Sequence, residues 1–143
     1  LRPWEGLTDS STQEAFTKYL ARNGPAYVER DKLTPAEAVR MAVQAGGLPV
    51  LAHPADIEDL EPMALELKKE GLVGIEVYYA GYRDEQVRKL SSFANKHGLI
   101  PCGGSDYHAI GNPGEVEPGT VGPPMESYYR LARLKGERVR ERA

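Results

Sequence analysis

The fold is decided by the stretch AGGLPVLAHP, residues 45–54. Upstream of it, Thr34-Pro35-Ala36-Glu37 is typical of a helix start, because a capping threonine, a first-turn proline and a glutamate three residues after the cap occur together. An apolar stripe follows and ends at Gly46-Gly47. Residues 48–52 are then continuously apolar, which predicts a short strand buried on both faces of a sheet. That strand is expected to end at His53-Pro54.

The same order of helix and strand returns twice downstream. An apolar stripe over residues 60–67 has helical spacing and precedes the strand pattern of residues 74–79. Asp84 is expected to cap a further helix that ends at Gly98, and a third strand is predicted near residues 99–103. Helix and strand in repeated alternation with short connections predict an α/β protein with a parallel sheet. Proteins of this class place their chemistry just past the carboxyl ends of the strands.

The two ends of the chain are predicted to be helical. Ser11-Thr12-Gln13-Glu14 is a capping box followed by apolar residues at helical spacing, so a helix is expected over about residues 12–22. From Ala109 to Pro124, glycine and proline recur without an apolar period, which is typical of a loop. A last helix is expected from Met125 to Leu134, with the basic residues near the carboxyl terminus on a solvated helix face.

Length and composition indicate one ordinary globular domain. The chain has 143 residues, of which 41% are hydrophobic and 27% charged, and its formal net charge is -3. This mild acidity argues against a large nucleic-acid footprint, because phosphate backbones are bound by clustered Lys and Arg. No apolar run approaches the roughly 20 residues that cross a bilayer, so no membrane span is expected. The single cysteine, Cys102, makes no internal disulfide, and we expect a cytoplasmic location.

Two of the three histidines follow predicted strands directly. His53 comes after the first strand, and His108 ends the segment Ser105-Asp106-Tyr107-His108 after the third. One residue separates Asp106 from His108, so on an extended backbone their side chains project to the same side. Imidazole and carboxylate together suit zinc, manganese or iron, which makes His53, Asp106 and His108 candidate metal ligands. The alternative is that each is a polar residue satisfied at a strand end.

Other polar residues near these strand ends have simpler interpretations. His97 ends a predicted helix, where a cationic side chain interacts favourably with the helix dipole. Glu76 lies inside an apolar strand and needs a partner, either a plain buried hydrogen bond or a contact to a metal ligand. Cys102 has no basic neighbour in sequence and is interpreted as a small core residue rather than a nucleophile. Tyr79 and its neighbouring tyrosines could line a pocket or pack at the sheet edge.

Three motifs in order resemble one known family. Residues 45–54 (AGGLPVLAHP), 74–79 (GIEVYY) and 103–108 (GGSDYH) look like the carboxyl-terminal half of PHP-domain proteins, the polymerase and histidinol phosphatase superfamily. The similarity is greatest to its small metal-dependent phosphoesterases, which act on nucleoside monophosphates and short nucleic-acid ends. Residues 15–20 and 24–28 are similar to the stretch that leaves a small helical insertion in those proteins and re-enters the barrel.

The resemblance implies a fold and a set of metal ligands. The fold class is α/β, as the parallel-strand part of a distorted (β/α)7 TIM-like barrel preceded by a short helical segment. Residues 1–32 are expected to form the end of the helical insertion with the re-entry segment, and residues 33–143 the carboxyl-terminal part of the barrel. His53 matches the histidine of the family's AHP motif, and Asp106 and His108 match its GSDxH motif. All three are implied to bind divalent ions such as Mn, Zn, Fe or Mg.

Part of the family's pattern has no counterpart in this chain. The family's amino-terminal His-x-His motif, its further acidic and histidine ligands and its bridging glutamate all precede the matched region. The 143 residues also fall short of the roughly 250 of a whole barrel. Because these motifs are missing and the chain is short, we expect a carboxyl-terminal fragment of an enzyme with an incomplete metal site.

The function implied by the resemblance is metal-dependent hydrolysis of phosphate monoesters or diesters of nucleotides or short nucleic-acid ends. In this chemistry the ions polarise phosphoryl oxygens and lower the pKa of a bound water, so no protein nucleophile is expected. The expected partners are a phosphorylated small molecule, a nucleotide or a short oligonucleotide, and no membrane. Two alternatives stay open. One is a noncatalytic half-barrel that self-associates as a homo-oligomer through its open sheet edges. The other is a metal hydrolase of the amidohydrolase type.

Overall fold

A computed structural model of the chain describes residues 12–29, 32–108 and 115–141. The chain divides into two compact units, residues 1–32 and residues 33–143. No helix in the described ranges is long and apolar enough to cross a bilayer.

The described part of the first unit contains one short helical segment. Helix α1 spans Thr12–Ala15 and continues into a π-helical turn, Phe16–Leu20. The turn ends at Ala21, whose extended backbone donates its N–H to the carbonyl of Phe16 at 2.8 Å. The helix predicted over about residues 12–22 therefore ends slightly early, and its predicted cap, Ser11, lies outside the described residues.

A three-stranded parallel sheet forms the centre of the second unit. Its strands are adjacent in chain order: β1 is Val50–Leu51, β2 is Gly74–Tyr79 and β3 is Ile100–Gly104. The pairing of β2 with β3 shifts register between Glu76 and Tyr78. The parallel arrangement confirms the α/β prediction, and it brings the carboxyl ends of all three strands to one edge of the sheet.

Helices alternate with these strands as the sequence predicts. Helix α2 spans Pro35–Gln44, α3 spans Leu60–Lys69, α4 spans Asp84–His97 and α5 spans Met125–Glu141. A 3₁₀ turn, Pro54–Asp56, follows β1. Helix α5 continues beyond its predicted end at Leu134.

Local sequence signals explain most helix ends. Thr34 caps α2 as predicted, because its hydroxyl accepts the N–H of Glu37 at 3.3 Å while Glu37 Oε2 accepts the N–H of Thr34 at 2.8 Å. Gly98 ends α4 in the left-handed conformation, with φ of 64°. The prediction that Asp84 caps α4 is wrong, since Asp84 is the first helical residue and Arg83 is the cap.

Buried side chains from the sheet and from α2, α3 and α4 form one hydrophobic core. Ile75 and Val77 of β2 are completely buried, and Leu67 of α3 and Ala94 of α4 pack in the same cluster. Alternate residues of a strand point to opposite faces of the sheet. Ile75 and Val77 therefore place Glu76 on the face away from this core.

Two cationic side chains of α5 bind carbonyls that follow α2 and α3. Arg138 donates to the carbonyl of Gly47 at 3.1 Å and to the carbonyl of Gly71 at 3.4 Å. Lys135 donates to the carbonyl of Gly46. The last turns of helices leave carbonyls unpaired and carry partial negative charge, so cations are favoured there. Helix α5 thereby ties together the ends of two helices that are distant from it in sequence.

Strand β1 is shorter and less buried than predicted. Of the expected residues 48–52, Val50 and Leu51 form the strand, while Val50 and Ala52 are exposed. Within the described part of the chain β1 pairs with β2 alone, and Pro49 has no N–H with which to extend the ladder. The prediction of a strand buried on both faces is therefore wrong for β1.

Candidate functional site

His53 follows β1 in a left-handed backbone conformation, with φ of 48° and ψ of 45°. This region of backbone space costs a residue other than glycine about 1–2 kcal/mol, so surrounding contacts must hold it. Pro54 is buried and begins the 3₁₀ turn immediately after His53. The short β1 and this turn together carry the imidazole to the carboxyl edge of the sheet.

Asp106 lies two residues after β3 and is also left-handed, with φ of 55°. The register shift between β2 and β3 brings Gly103 directly against Tyr78. A Cβ on Gly103 would lie 2.1 Å from the carbonyl oxygen of Tyr78, so a residue with a side chain cannot make this approach. The glycine thus allows β3 to follow the irregular path that leads to Asp106.

The structure brings the three predicted ligands close together. Nε2 of His53 lies 3.4 Å from Oδ2 of Asp106, and Nδ1 of His108 lies 4.0 Å from the same oxygen. His108 also places Nδ1 2.6 Å from the backbone carbonyl oxygen of Asp106. His53 and Asp106 are partly exposed and His108 is mostly exposed. The group is therefore open to solvent and to a ligand.

Glu115 is a further carboxylate of this group, and sequence reasoning missed it. Its Oε2 accepts the N–H of His108 at 3.2 Å, and its Oε1 lies 4.0 Å from Nδ1 of His108. The side chain is only 18% exposed. Because Glu115 belongs to a stretch rich in glycine and proline with no apolar period, no periodic signal marks it. The feature of the sequence that could have indicated Glu115 is that it is an acidic residue close to the GGSDYH motif.

Glu76 reaches the site from β2. Its Oε2 accepts the backbone N–H of His53 at 2.8 Å and lies 4.0 Å from Nδ1 of the same histidine. Glu76 therefore has the hydrogen-bond partner that a carboxylate inside an apolar strand needs. This partner is the backbone N–H of His53, a predicted metal ligand.

A row of aromatic rings packs beside His53. The rings of His53 and Tyr79 meet edge to face with centroids 5.2 Å apart, and Tyr79 meets Tyr82 in the same way at 5.0 Å. The hydroxyl of Tyr82 accepts the N–H of Ala55 at 3.3 Å, in the turn that follows His53. Burial raises the pKa of Tyr82, so its hydroxyl stays protonated at neutral pH. The row supports the turn that carries His53.

A cavity of about 300 Å³ opens beside these residues. It is lined by residues at the ends of β2 and β3 and by the start of the segment that leads to α5: Tyr79, Ala80, Gly81, Ser105, Asp106, His108, Glu115 and Val116. Two of the lining side chains, Asp106 and Glu115, carry carboxyl groups.

Cys102 and His97 fit structural roles. Burial raises the pKa of the Cys102 thiol, with an opposing effect from Arg130, and a raised pKa does not suit a nucleophile because the thiolate is the reactive form. His97 is the last residue of α4, its ring packs on Phe93 with centroids 4.5 Å apart, and its Nε2 lies 3.0 Å from Oε1 of Glu61. His97 thus links α4 to α3.

The donor atoms of His53 and Asp106 are of the types that bind divalent ions, but they are too few for a complete site. Imidazole and carboxylate are ligands of zinc, manganese and iron. Two ligands of one tetrahedral ion, each bonded at about 2.1 Å, lie roughly 3.4 Å apart, and the His53 Nε2 to Asp106 Oδ2 separation is 3.4 Å. Among the residues that the structure describes, however, no group of three or more His, Cys, Asp or Glu side chains is arranged so that it could hold an ion. The role of His108 as third ligand stays a prediction.

Comparisons with known proteins bear on this site. No protein-family model matches the chain. The 3',5'-nucleoside bisphosphate phosphatase of Chromobacterium violaceum is 35% identical over 103 residues, which cover 69% of this chain and 36% of that protein. The phosphoribosyl 1,2-cyclic phosphate 1,2-diphosphodiesterase of Eggerthella lenta is 38% identical over 103 residues, 69% of this chain and 38% of that protein.

Solved structures agree with these sequence matches. A protein from Bifidobacterium adolescentis described as a metal-dependent phosphoesterase superimposes with a TM-score of 0.64 and 26% identity, over 83% of this chain and 43% of that one. These matches agree with the resemblance of the chain to the PHP-domain phosphoesterases. An amidohydrolase from Chromobacterium violaceum, with bound sulfate and no metal, matches this chain with a TM-score of 0.64 and 30% identity, over 88% of this chain and 47% of that one. The chain thus spans less than half the length of each protein chain in these four matches.

Proposed function

We propose that the protein is a metal-dependent phosphoesterase that hydrolyses phosphate monoesters or diesters of nucleotides or short nucleic-acid ends. The proposal rests on one observation. His53 and Asp106 follow different strands and meet at one edge of the sheet, where Nε2 of His53 lies 3.4 Å from Oδ2 of Asp106. The relatives support it, because the two curated proteins are named a phosphatase and a phosphodiesterase.

His53, Asp106 and His108 are the residues of this chain that would hold the divalent ion, whether Mn, Zn, Fe or Mg. When bound, such an ion polarises phosphoryl oxygens and lowers the pKa of a bound water. His53 presents Nε2 towards Asp106, which supplies carboxylate charge. In His108, Nδ1 is engaged with the Asp106 carbonyl, so Nε2 is the candidate ligand atom. Neutral imidazoles and an ionised carboxylate are the protonation states that this role requires.

The electrostatics of the cavity support a role for cations. Asp106 and Glu115 line it, and Glu76 lies close to His53. A phosphate ester would therefore meet carboxylates, and two like charges 4 Å apart repel by about 4 kcal/mol near a protein surface. Divalent ions are often the largest charges in such a site and reverse its sign. Phosphate binding here thus depends on bound cations.

The proposal extends to the fold. The sheet and its helices would be the parallel-strand part of a distorted (β/α)7 TIM-like barrel, with residues 1–32 as the end of a helical insertion and residues 33–143 as the carboxyl-terminal part of the barrel. Parallel strands in chain order, each preceded by a helix, support this assignment, as does a site at the carboxyl ends of the strands. Self-association through an open sheet edge and a cytoplasmic location stay predictions.

A substrate panel with and without metal tests the proposed function. The protein is assayed with a nucleoside monophosphate, a 3',5'-nucleoside bisphosphate, a cyclic phosphate diester and a 5'-phosphorylated oligonucleotide, before chelation, after it, and after Mn²⁺ or Zn²⁺ is restored. We expect phosphate release that chelation abolishes and one of the ions restores. Because the chain spans less than half of its relatives, the panel includes this chain and the longest polypeptide that its gene encodes.

Amide substrates form the second arm of the panel, since one solved neighbour is an amidohydrolase. Metal-dependent hydrolysis of amides without hydrolysis of any phosphate ester would overturn the proposed function and favour the amidohydrolase alternative.

A further inference from the structure

Glu76 contacts His53 in two ways. Its Oε2 accepts the backbone N–H of His53 at 2.8 Å, and the same oxygen lies 4.0 Å from Nδ1 of the imidazole. The other ring nitrogen, Nε2, lies 3.4 Å from Asp106. The two nitrogens of one imidazole therefore face carboxylates on opposite sides of the ring.

The strand fixes where this carboxylate lies. Glu76 follows Ile75 and precedes Val77, both completely buried, so its side chain leaves the core and crosses the other face of the sheet. The register shift that begins at Glu76 interrupts the regular ladder at this point. Bulges of this kind re-aim side chains beside functional sites.

Glu76 is nearly buried, and His53 is its partner in the contacts that the structure describes. The side chain is 12% exposed, and within the described ranges no Lys or Arg forms an ion pair with it. A polar group with so little access to water requires hydrogen-bond partners. The N–H of His53 supplies one hydrogen bond, and Nδ1 of the same residue lies 4.0 Å from the same oxygen.

We propose that Glu76 is the positioning residue of the site: its carboxylate holds the backbone of His53 in the left-handed conformation and faces Nδ1, so that Nε2 is presented to the ligand. This inference rests on the proposed function for the identity of the ligand. A carboxylate on the distal side of a ligating histidine orients the ring, and Oε2 of Glu76 lies on that side of His53, 4.0 Å from Nδ1. Glu76 itself does not contact substrate in this role.

Selective labelling of histidine with ¹⁵N tests the positioning directly. The chain has three histidines, so the spectrum contains three backbone N–H signals. Glu76→Leu removes the acceptor, and we expect exchange of the His53 N–H with solvent to accelerate at least tenfold while the His97 N–H is unchanged. Glu76→Gln keeps an oxygen acceptor, and its His53 N–H is expected to stay protected within about threefold.

Glu115→Leu is the matched control for this measurement. Glu115 accepts the N–H of His108 as Glu76 accepts that of His53, so its loss should change the His108 signal and leave His53 unchanged. An unchanged exchange rate for His53 in folded Glu76→Leu protein would overturn the proposal.

Binding of Zn²⁺ and Mn²⁺ alone, measured by calorimetry, tests the consequence for the ligand. We expect a loss in affinity of roughly 10- to 100-fold in both Glu76 variants, as for other partners of ligating histidines. Glu66→Gln changes an exposed glutamate of α3 and should leave affinity unchanged. Wild-type affinity in Glu76→Leu would overturn the proposal. Failure of the proposed function is separately visible, because the wild-type protein would then show no metal-dependent hydrolysis whatever the exchange rate of His53.

Discussion

Oδ2 of Asp106 lies 3.4 Å from Nε2 of His53, and both residues have a left-handed backbone. Neither is a glycine, so each conformation costs free energy of folding that neighbouring contacts must offset. At His53 the N–H to Glu76 hydrogen bond and the turn at Pro54 provide such contacts. Two strained residues that meet at the carboxyl edge of a parallel sheet are typical of a functional site, because core packing alone does not require them.

Replacing Asp106 by Asn should abolish most metal-dependent hydrolysis. Asn keeps the size of the side chain but removes the charge that an ion would need. Loss of a residue that only hydrogen-bonds a metal ligand reduces metal affinity or activity about 10- to 100-fold. Loss of a ligand itself should therefore reduce the rate by at least about 100-fold and lower the amount of bound metal. Asp59→Asn is the control, since Asp59 is exposed and makes no side-chain capping bond to α3. Normal metal content and normal rate in the Asp106 variant would refute its assignment as a ligand.

Glu37→Gln should destabilise the protein more at neutral pH than in acid. The N–H of Thr34 and then its hydroxyl hold the pKa of Glu37 below its ordinary value. A carboxyl whose pKa is lower in the folded state stabilises that state above its unfolded pKa, and this contribution is lost as pH falls through the folded pKa. We therefore expect a lower urea midpoint than wild type at pH 7, and a difference that shrinks as the pH falls through the lowered pKa of Glu37.

Thr34→Ala separates the charge of Glu37 from the cap itself. It removes the hydroxyl that accepts the N–H of Glu37 and should cost about 1 kcal/mol, part of which persists in acid. Equal midpoints for Glu37→Gln and wild type at pH 7 would show that the ion adds nothing to the cap.

Signals that act over a few residues made parts of the fold predictable. Strand β2 occupies the predicted residues 74–79, and the capping box at Thr34 starts α2 as expected. Strand β1 was not predictable in length, because an apolar run does not reveal how many strands will cover it. The cap of α4 was not predictable either, since the sequence does not distinguish an aspartate in the first helical turn, such as Asp84, from one at the cap.

The meeting of His53 and Asp106 at one sheet edge was predictable, whereas the detailed geometry of the candidate site was not. His53 and Asp106 could be singled out because each follows a strand, and a parallel sheet brings strand ends together. Their left-handed backbones depend on contacts from elsewhere, such as Glu76, that no local pattern shows. Glu115 contacts His108, but it lies in a stretch of sequence that is rich in glycine and proline and has no apolar period to mark it.

Arg138→Ala should destabilise the second unit more than Arg133→Ala. Arg138 is partly buried and donates to two carbonyls at helix ends, so its loss should cost about 1–3 kcal/mol. Arg133 lies on the same helix with its side chain 80% exposed and pairs only with Glu137, four residues later, in the contacts that the structure describes. Such a pair contributes about 0.3–0.5 kcal/mol. Urea unfolding of both variants measures the difference, and equal losses would mean that the carbonyl contacts of Arg138 do not stabilise the fold.

Gly103→Ala and Gly104→Ala should differ sharply although the two residues are adjacent in β3. A Cβ on Gly103 would lie 2.1 Å from the carbonyl oxygen and 2.7 Å from the carbonyl carbon of Tyr78, whereas a Cβ on Gly104 would meet nothing within 4 Å. The obstacle at Gly103 is backbone, so β2 or β3 must move. We expect Gly103→Ala to lower the free energy of unfolding by at least about 2 kcal/mol and Gly104→Ala to change it by no more than about 0.5 kcal/mol.

Because Asp106 follows the displaced segment, Gly103→Ala should also weaken metal binding. Equal stability of the two variants in urea would contradict the close approach of Gly103 to Tyr78, and with it the path by which β3 carries Asp106 to His53.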